Sequence, residues 1–98
     1  MNLNKLDKIT ILPGDGIGPE VIAQGLKVLE AIRLKYSHQW QVNEALIGAT
    51  AIDQTGDPFP EASRHACQQA DAILLGAIGD PKYDNNPSAT VRPEQGLL

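Results

Sequence analysis

The apolar positions fall into short runs whose spacing changes from one segment to the next. Residues 8–12 (KITIL) are largely β-branched and stop at Pro13 and Gly14, which predicts a buried strand. Beyond a glycine-rich turn, residues 19–36 carry Ile22, Leu26, Leu29 and Ile32 at helical spacing, with Val21, Val28 and Leu34 beside them. Pro19 suits the first helical position and Glu20 complements the positive end of the helix, while Gly25 weakens the pattern at its middle. In residues 39–47 (QWQVNEALI), Trp40 and Val42 alternate with Gln41 and Asn43, predicting a second strand. Residues 49–60 read as a short helical turn followed by a Gly-Asp-Pro break. Pro60 then opens a helix over 60–70 whose apolar face is small: Ala62, Ala66, Cys67 and Ala70. Residues 71–79 (DAILLGAIG) are apolar without alternation, as parallel-sheet strands buried on both faces are. A loop rich in Pro, Asn and Asp follows, and residues 92–98 (RPEQGLL) read as the first turn of another helix. Strand, helix, strand, helix, strand predicts an α/β fold: a mainly parallel sheet flanked by helices, with right-handed crossovers.

Length and composition narrow this. The 98 residues suit one small domain, and the sequence shows no internal repeat. Three strands leave little to cover both faces of a sheet, and the last helix is only begun. Residues 1–98 are therefore expected to be the N-terminal segment of one α/β domain, incomplete without a C-terminal part. A net charge of −4, with its largest basic group (Lys27, Arg33, Lys35) on one helix, argues against a nucleic-acid partner. The one cysteine, Cys67, permits no intrachain disulfide and fits a reducing compartment. The first ten residues lack the apolar core of a secretory signal, and no apolar run approaches the ~18 residues of a membrane span. A cytoplasmic protein without a membrane partner is the expectation.

The turn at Gly14, Gly16 and Gly18 invites comparison with phosphate-binding loops. The dinucleotide fingerprint G-x-G-x-x-G fails because position 19 is Pro, and no Gly-Lys-Ser/Thr follows to make a P-loop. On its own the turn reads as a tight strand-to-helix connection that needs unusual φ values. Taken together, LPGDGIGPEV, GDPKYD and RPEQGLL resemble the β-decarboxylating dehydrogenases, the isocitrate/isopropylmalate dehydrogenase family, from about Lys8 to the last residue. The likeness is greatest to the branch that acts on 3-isopropylmalate in leucine biosynthesis. It implies that family's fold, in its N-terminal part only. It also implies oxidation of a 2-hydroxy acid with NAD followed by loss of carbon dioxide, Mg2+ or Mn2+ held by aspartates outside this chain, and a homodimer. Family enzymes are several times longer, and their carboxylate-binding arginines and catalytic Tyr, Lys and Asp match nothing here. The resemblance therefore assigns no catalytic and no metal-binding residue to this chain, and residues 1–98 alone are expected to be inactive.

Residue by residue, the resemblance puts Ile17 against the adenine of the cofactor. It makes a cofactor-facing segment of Asp80, Pro81, Lys82, Tyr83, Asp84, Asn85, Asn86, Pro87, Ser88, Ala89, Thr90, Val91, Arg92, Pro93 and Glu94. Glu94 stands on the nicotinamide side and also borders the substrate, whose isopropyl group meets Leu97 and Leu98. Most family members carry glycine where this chain has Asp80. Read from the residues alone, the loop equally suits solvent, and the leucine pair equally suits the core face of an amphipathic helix. Asp15 is expected to cap its own turn and Glu20 to answer the helix dipole. Asp80 and Asp84 are expected to be solvated rather than metal-binding. Arg92 precedes the helix and does not match a substrate-binding arginine. His38 and His65 read as surface residues, and Cys67 as a packing residue. Two alternatives stay open: a tartrate- or isocitrate-type decarboxylating dehydrogenase, and a noncatalytic nucleotide-binding α/β module.

Overall fold

Alternate residues of the first strand are claimed by helices on opposite sides, which sets the architecture. The computed structural model describes residues 7–98; the stretch read above for a secretory signal lies largely outside the described residues. In β1 (Asp7–Gly14), Ile9 and Ile11 join Ile22, Leu26, Trp40 and Leu74 in one apolar cluster. The intervening Thr10 and Leu12 are buried on the other side, where the Thr10 hydroxyl donates to the Ala66 carbonyl at 3.0 Å. Both faces of β1 are thus covered, as the middle strand of a parallel sheet requires.

The chain runs β1, α1 (Gly18–Tyr36), β2 (Trp40–Glu44), α2 (Ala49–Thr55), α3 (Glu61–Gln69), β3 (Ala72–Ala77), α4 (Pro81–Asp84) and a 3₁₀ helix (Pro93–Leu97). The fold is α/β: three parallel strands in the order β2-β1-β3, with Ile9 opposite Val42 and Ile11 opposite Leu74. α1 covers the Ile9–Ile11 side through Ile22 and Leu26, and α3 covers the Thr10 side. Among the described residues, no helix is long and apolar enough to cross a membrane.

Three expectations are corrected in detail. β2 ends at Glu44 rather than running on to Ile47. Ile47 is buried and the Leu46 carbonyl accepts the Ser63 hydroxyl at 2.6 Å, so packing around the start of α2 and α3 takes these residues out of the ladder. β3 is not covered on both faces. Leu74 packs toward α1, but Ile73 and Leu75, whose sheet partners are Thr10 and Leu12, are 52% and 43% exposed. The segment 92–98 closes as a 3₁₀ helix rather than an α-helical turn.

The glycines of the first turn answer to backbone crowding. Gly14 has φ of +75°, and a Cβ there would stand 1.9 Å from the Ala77 carbonyl oxygen. A Cβ on Gly18 would stand 2.0 Å from the Pro13 carbonyl oxygen. The end of β1, the start of α1 and the end of β3 therefore meet main chain to main chain, which a side chain at either position would prevent.

Candidate functional site

Ile17, the start of the segment that leaves β3, and Glu94 stand at the carboxyl ends of the strands, where ligands of open α/β sheets bind. The hub is Asp15. Its side chain is 5% exposed and accepts from the Ala49 amide at 2.7 Å, the Thr50 amide at 2.9 Å, the Thr50 hydroxyl at 3.0 Å and the Gly79 amide at 3.1 Å. Burial pulls its carboxyl pKa upward, but the bonds from Ala49, Thr50 and Gly79 outweigh that and hold it below the ordinary value. Asp15 thus caps α2 rather than its own turn, where only its main-chain carbonyl takes part, accepting from the Gly18 amide at 2.8 Å. Glu20 lies in the first turn of α1 as expected.

The same carboxylate anchors the segment after β3. Asp80 sits in extended conformation ahead of α4 and accepts the Lys82 amide at 3.0 Å, so it caps that helix and Pro81 occupies its first turn. The pattern Asp-Pro at a helix start was available in the sequence and would have revealed α4 inside the expected loop. From α4, the Lys82 ammonium reaches one oxygen of Asp53 on α2 at 2.7 Å, and the Tyr83 hydroxyl donates to the other at 2.8 Å. These bonds, Lys82 first, hold the Asp53 carboxyl below its usual range, and Asp53 in turn pushes Lys82 and Tyr83 up. Arg92 turns back into the loop, donating to the carbonyls of Tyr83 and Asn86, while its own amide donates to the Gln95 side chain at 2.9 Å.

The remaining predicted residues sort by exposure. Pro93 is fully buried. Glu94 is exposed, and its Oε1 lies 3.7 Å from where a Cβ on Gly79 would stand. Gly79 in turn adjoins Gly16, so Glu94 and the turn carrying Ile17 share one end of the sheet. Ile17, Leu97 and Leu98 are all exposed, at 58%, 55% and 105%. Asp84 to Ser88 are exposed, as are Pro81 and Thr90, while Ala89 and Val91 are half-buried. His38 and His65 lie on the surface, His38 stacked on Trp40 with ring centres 5.5 Å apart. Cys67 is half-buried, and burial pushes its thiol pKa up, as befits an unreactive packing residue.

In the turn after β1, the Asp15 amide donates to the Ala77 carbonyl, the Gly18 amide to the Asp15 carbonyl, and Pro19 has no amide, so these three positions offer a phosphate nothing. What the site offers a ligand is an exposed apolar residue, Ile17, and an exposed carboxylate, Glu94. For a divalent cation the fit fails: Asp80 serves as a cap, and among the described residues no three His, Cys, Asp or Glu side chains are placed to hold one. A cleft of about 330 Å3 lies beside the turn, lined by Pro13, Pro19, Glu44, Leu46, Ile47 and Thr50 among others. None of the sequence-predicted residues lines it.

Comparison with known proteins follows the same motifs. Residues 8–98 match the isocitrate/isopropylmalate dehydrogenase family. A 3-isopropylmalate dehydrogenase of Bacteroides fragilis is 55% identical over 91 residues, and one of Listeria innocua is 57% identical over 91 residues. Each alignment covers 93% of this chain, which spans about a quarter of those relatives' length: 26% and 25%. Among solved structures, a β-decarboxylating dehydrogenase of Thermococcus kodakarensis superposes with a TM-score of 0.66 at 30% identity, covering 78% of this chain and 22% of that one. An isocitrate dehydrogenase of Methylococcus capsulatus gives 0.67 at 32% identity, with 78% and 21% covered.

Proposed function

The chain belongs to the isocitrate/isopropylmalate dehydrogenase family, and from that premise we propose that the protein carrying it oxidises and decarboxylates 3-isopropylmalate with NAD in leucine biosynthesis. The family is one of dehydrogenases, which supports reading the protein as an oxidoreductase. The observation that carries it is the convergence of Ile17, Gly79 and Glu94 at the carboxyl end of the sheet. Ile17 presents an apolar face suited to the adenine end of NAD. Glu94 presents a carboxylate that can accept from a ribose hydroxyl or the nicotinamide carboxamide. NAD, when bound, would supply the hydride acceptor, and these residues would hold and orient it. Leu97 and Leu98 suit a branched alkyl group because they bring no polar atom that would need a partner. Relatives named 3-isopropylmalate dehydrogenase at 55% and 57% identity favour this substrate over isocitrate. Mg2+ or Mn2+, a homodimer and a cytoplasmic location belong to the same reading, with metal ligands supplied by residues other than these.

The test is an assay of the whole protein, following reduced nicotinamide with 3-isopropylmalate, isocitrate and tartrate in turn, each with Mg2+ or Mn2+. The expected result is a kcat/KM for 3-isopropylmalate well above the others, and a raised KM for NAD in Glu94→Ala. A preference for isocitrate or tartrate would overturn the substrate. The 98 residues assayed alone are expected to give no turnover; a rate near ~1 per second, ordinary for an enzyme, would contradict this.

A further inference from the structure

We propose that Asp53 is a positioning residue for the cofactor-facing loop, making α2 a strut that sets where Glu94 stands. The proposal rests on the reading of Glu94 given above. α2 is held at its start by Asp15, and that same carboxylate holds Gly79 just after β3. One turn further along α2, Asp53 takes the Lys82 ammonium on one oxygen at 2.7 Å and the Tyr83 hydroxyl on the other at 2.8 Å. The segment leaving β3 is therefore held twice, at Gly79 by the same Asp15 carboxylate that holds the start of α2, and at 82–83 by α2 itself, a short helix whose Ala49 and Ala51 are buried. From Tyr83 the connection continues: its carbonyl and that of Asn86 receive the Arg92 guanidinium. The Arg92 amide donates to the Gln95 side chain, closing the first turn of the 3₁₀ helix that holds Glu94.

This convergence adds little to global stability. Asp53 and Lys82 are 45% and 54% exposed, and ion pairs screened by solvent to that degree contribute little to stability. What it supplies is order in a polar segment with few buried side chains. A loop already in its bound form spares the ligand the cost of ordering it.

The experiment uses the whole protein that carries this chain. Asp53→Ala is expected to raise KM for NAD about fivefold or more, with kcat within about twofold, because a less populated competent loop weakens apparent affinity in proportion. Tyr83→Phe should show part of this rise. The double variant should be no worse than Asp53→Ala, since both act through one contact. Asp53→Asn, which keeps an acceptor in place, should recover part of the loss. Hydrogen exchange of Asp53→Ala should quicken in residues 82–92 and stay unchanged in β1, whereas a general loss of structure would quicken both. In an active enzyme, a KM for NAD within twofold of wild type, or exchange quickened throughout β1, overturns the proposal. If the wild-type protein shows no NAD-dependent turnover, the functional reading fails instead. The exchange measurement then decides alone: quickening confined to 82–92 keeps the strut, and none removes it.

Discussion

At Asp15 one carboxylate accepts three amides and a hydroxyl drawn from two distant segments. Removing it leaves the buried Ala49 amide and the half-buried amides of Thr50 and Gly79 without this acceptor, a loss that costs about 1–3 kcal/mol for each group that water cannot reach. Asp15→Ala is thus expected to lower the unfolding free energy by about 3 kcal/mol or more, measured by urea titration. Its titration adds a pH dependence. The folded pKa lies below the ordinary 3.8, so the stabilisation is whole above that value and drains away as pH falls through the folded pKa. Melting temperatures taken from pH 6 down to pH 3 should show this loss in the wild type and a shallower slope in Asp15→Asn; equal slopes would remove Asp15 from the account. At Gly14 the constraint is steric. Alanine there would need a φ that costs roughly 1–2 kcal/mol and a Cβ inside contact distance of the Ala77 carbonyl. Gly14→Ala is expected to abolish the folded state, seen as a lost cooperative melt.

At the scale of the element, α4 shows how a short helix survives inside a loop. Its four residues contribute little by themselves, since helices of this length do not hold in water. The Asp80 cap and the ties from Lys82 and Tyr83 to Asp53 compensate. The cap gives a local reason for aspartate at position 80. Asp80→Ala should destabilise α4 by about 1 kcal/mol, and Asp80→Gly by only a few tenths. Hydrogen exchange in residues 82–86 reads the difference, while the global melting temperature stays nearly constant. Unchanged exchange in Asp80→Ala would mean that the cap does not hold α4.

Residues 7–98, taken together, leave apolar surface uncovered. Besides Ile73 and Leu75 on β3, α1 exposes Val21 at 52%, Val28 at 60% and Leu34 at 65%. Among the described residues the buried apolar cluster is correspondingly small, formed by Ile9, Ile11 and Ile22 with three partly buried neighbours. A strand edge next to exposed Ile and Leu favours association between chains. Residues 1–98 produced alone are expected to self-associate as concentration rises and to bind a hydrophobic dye, as sedimentation and fluorescence would report. A monodisperse species of 10.5 kDa with a sharp cooperative melt would contradict this.

Local periodicity was enough to determine the order of the strands and longer helices and the parallel α/β class, because β-branched runs and helical spacing report on nearest neighbours along the chain. The motifs around Gly14, Asp80 and Arg92 were enough to point to the family. The Asp-Pro cap of α4 was also legible, though only by reading Asp80 as a cap rather than as part of a loop. The partners of Asp15 lie 34 and 64 positions away, and those of Asp53 lie 29 and 30 positions away. No spacing rule reaches that far, so which carboxylate caps, which braces and which stays exposed was decided by how the strands and helices came together. The uncovered face of β3 was decided the same way. An apolar run shows that a strand can be buried, and only the packing of neighbouring elements determines on how many sides it is.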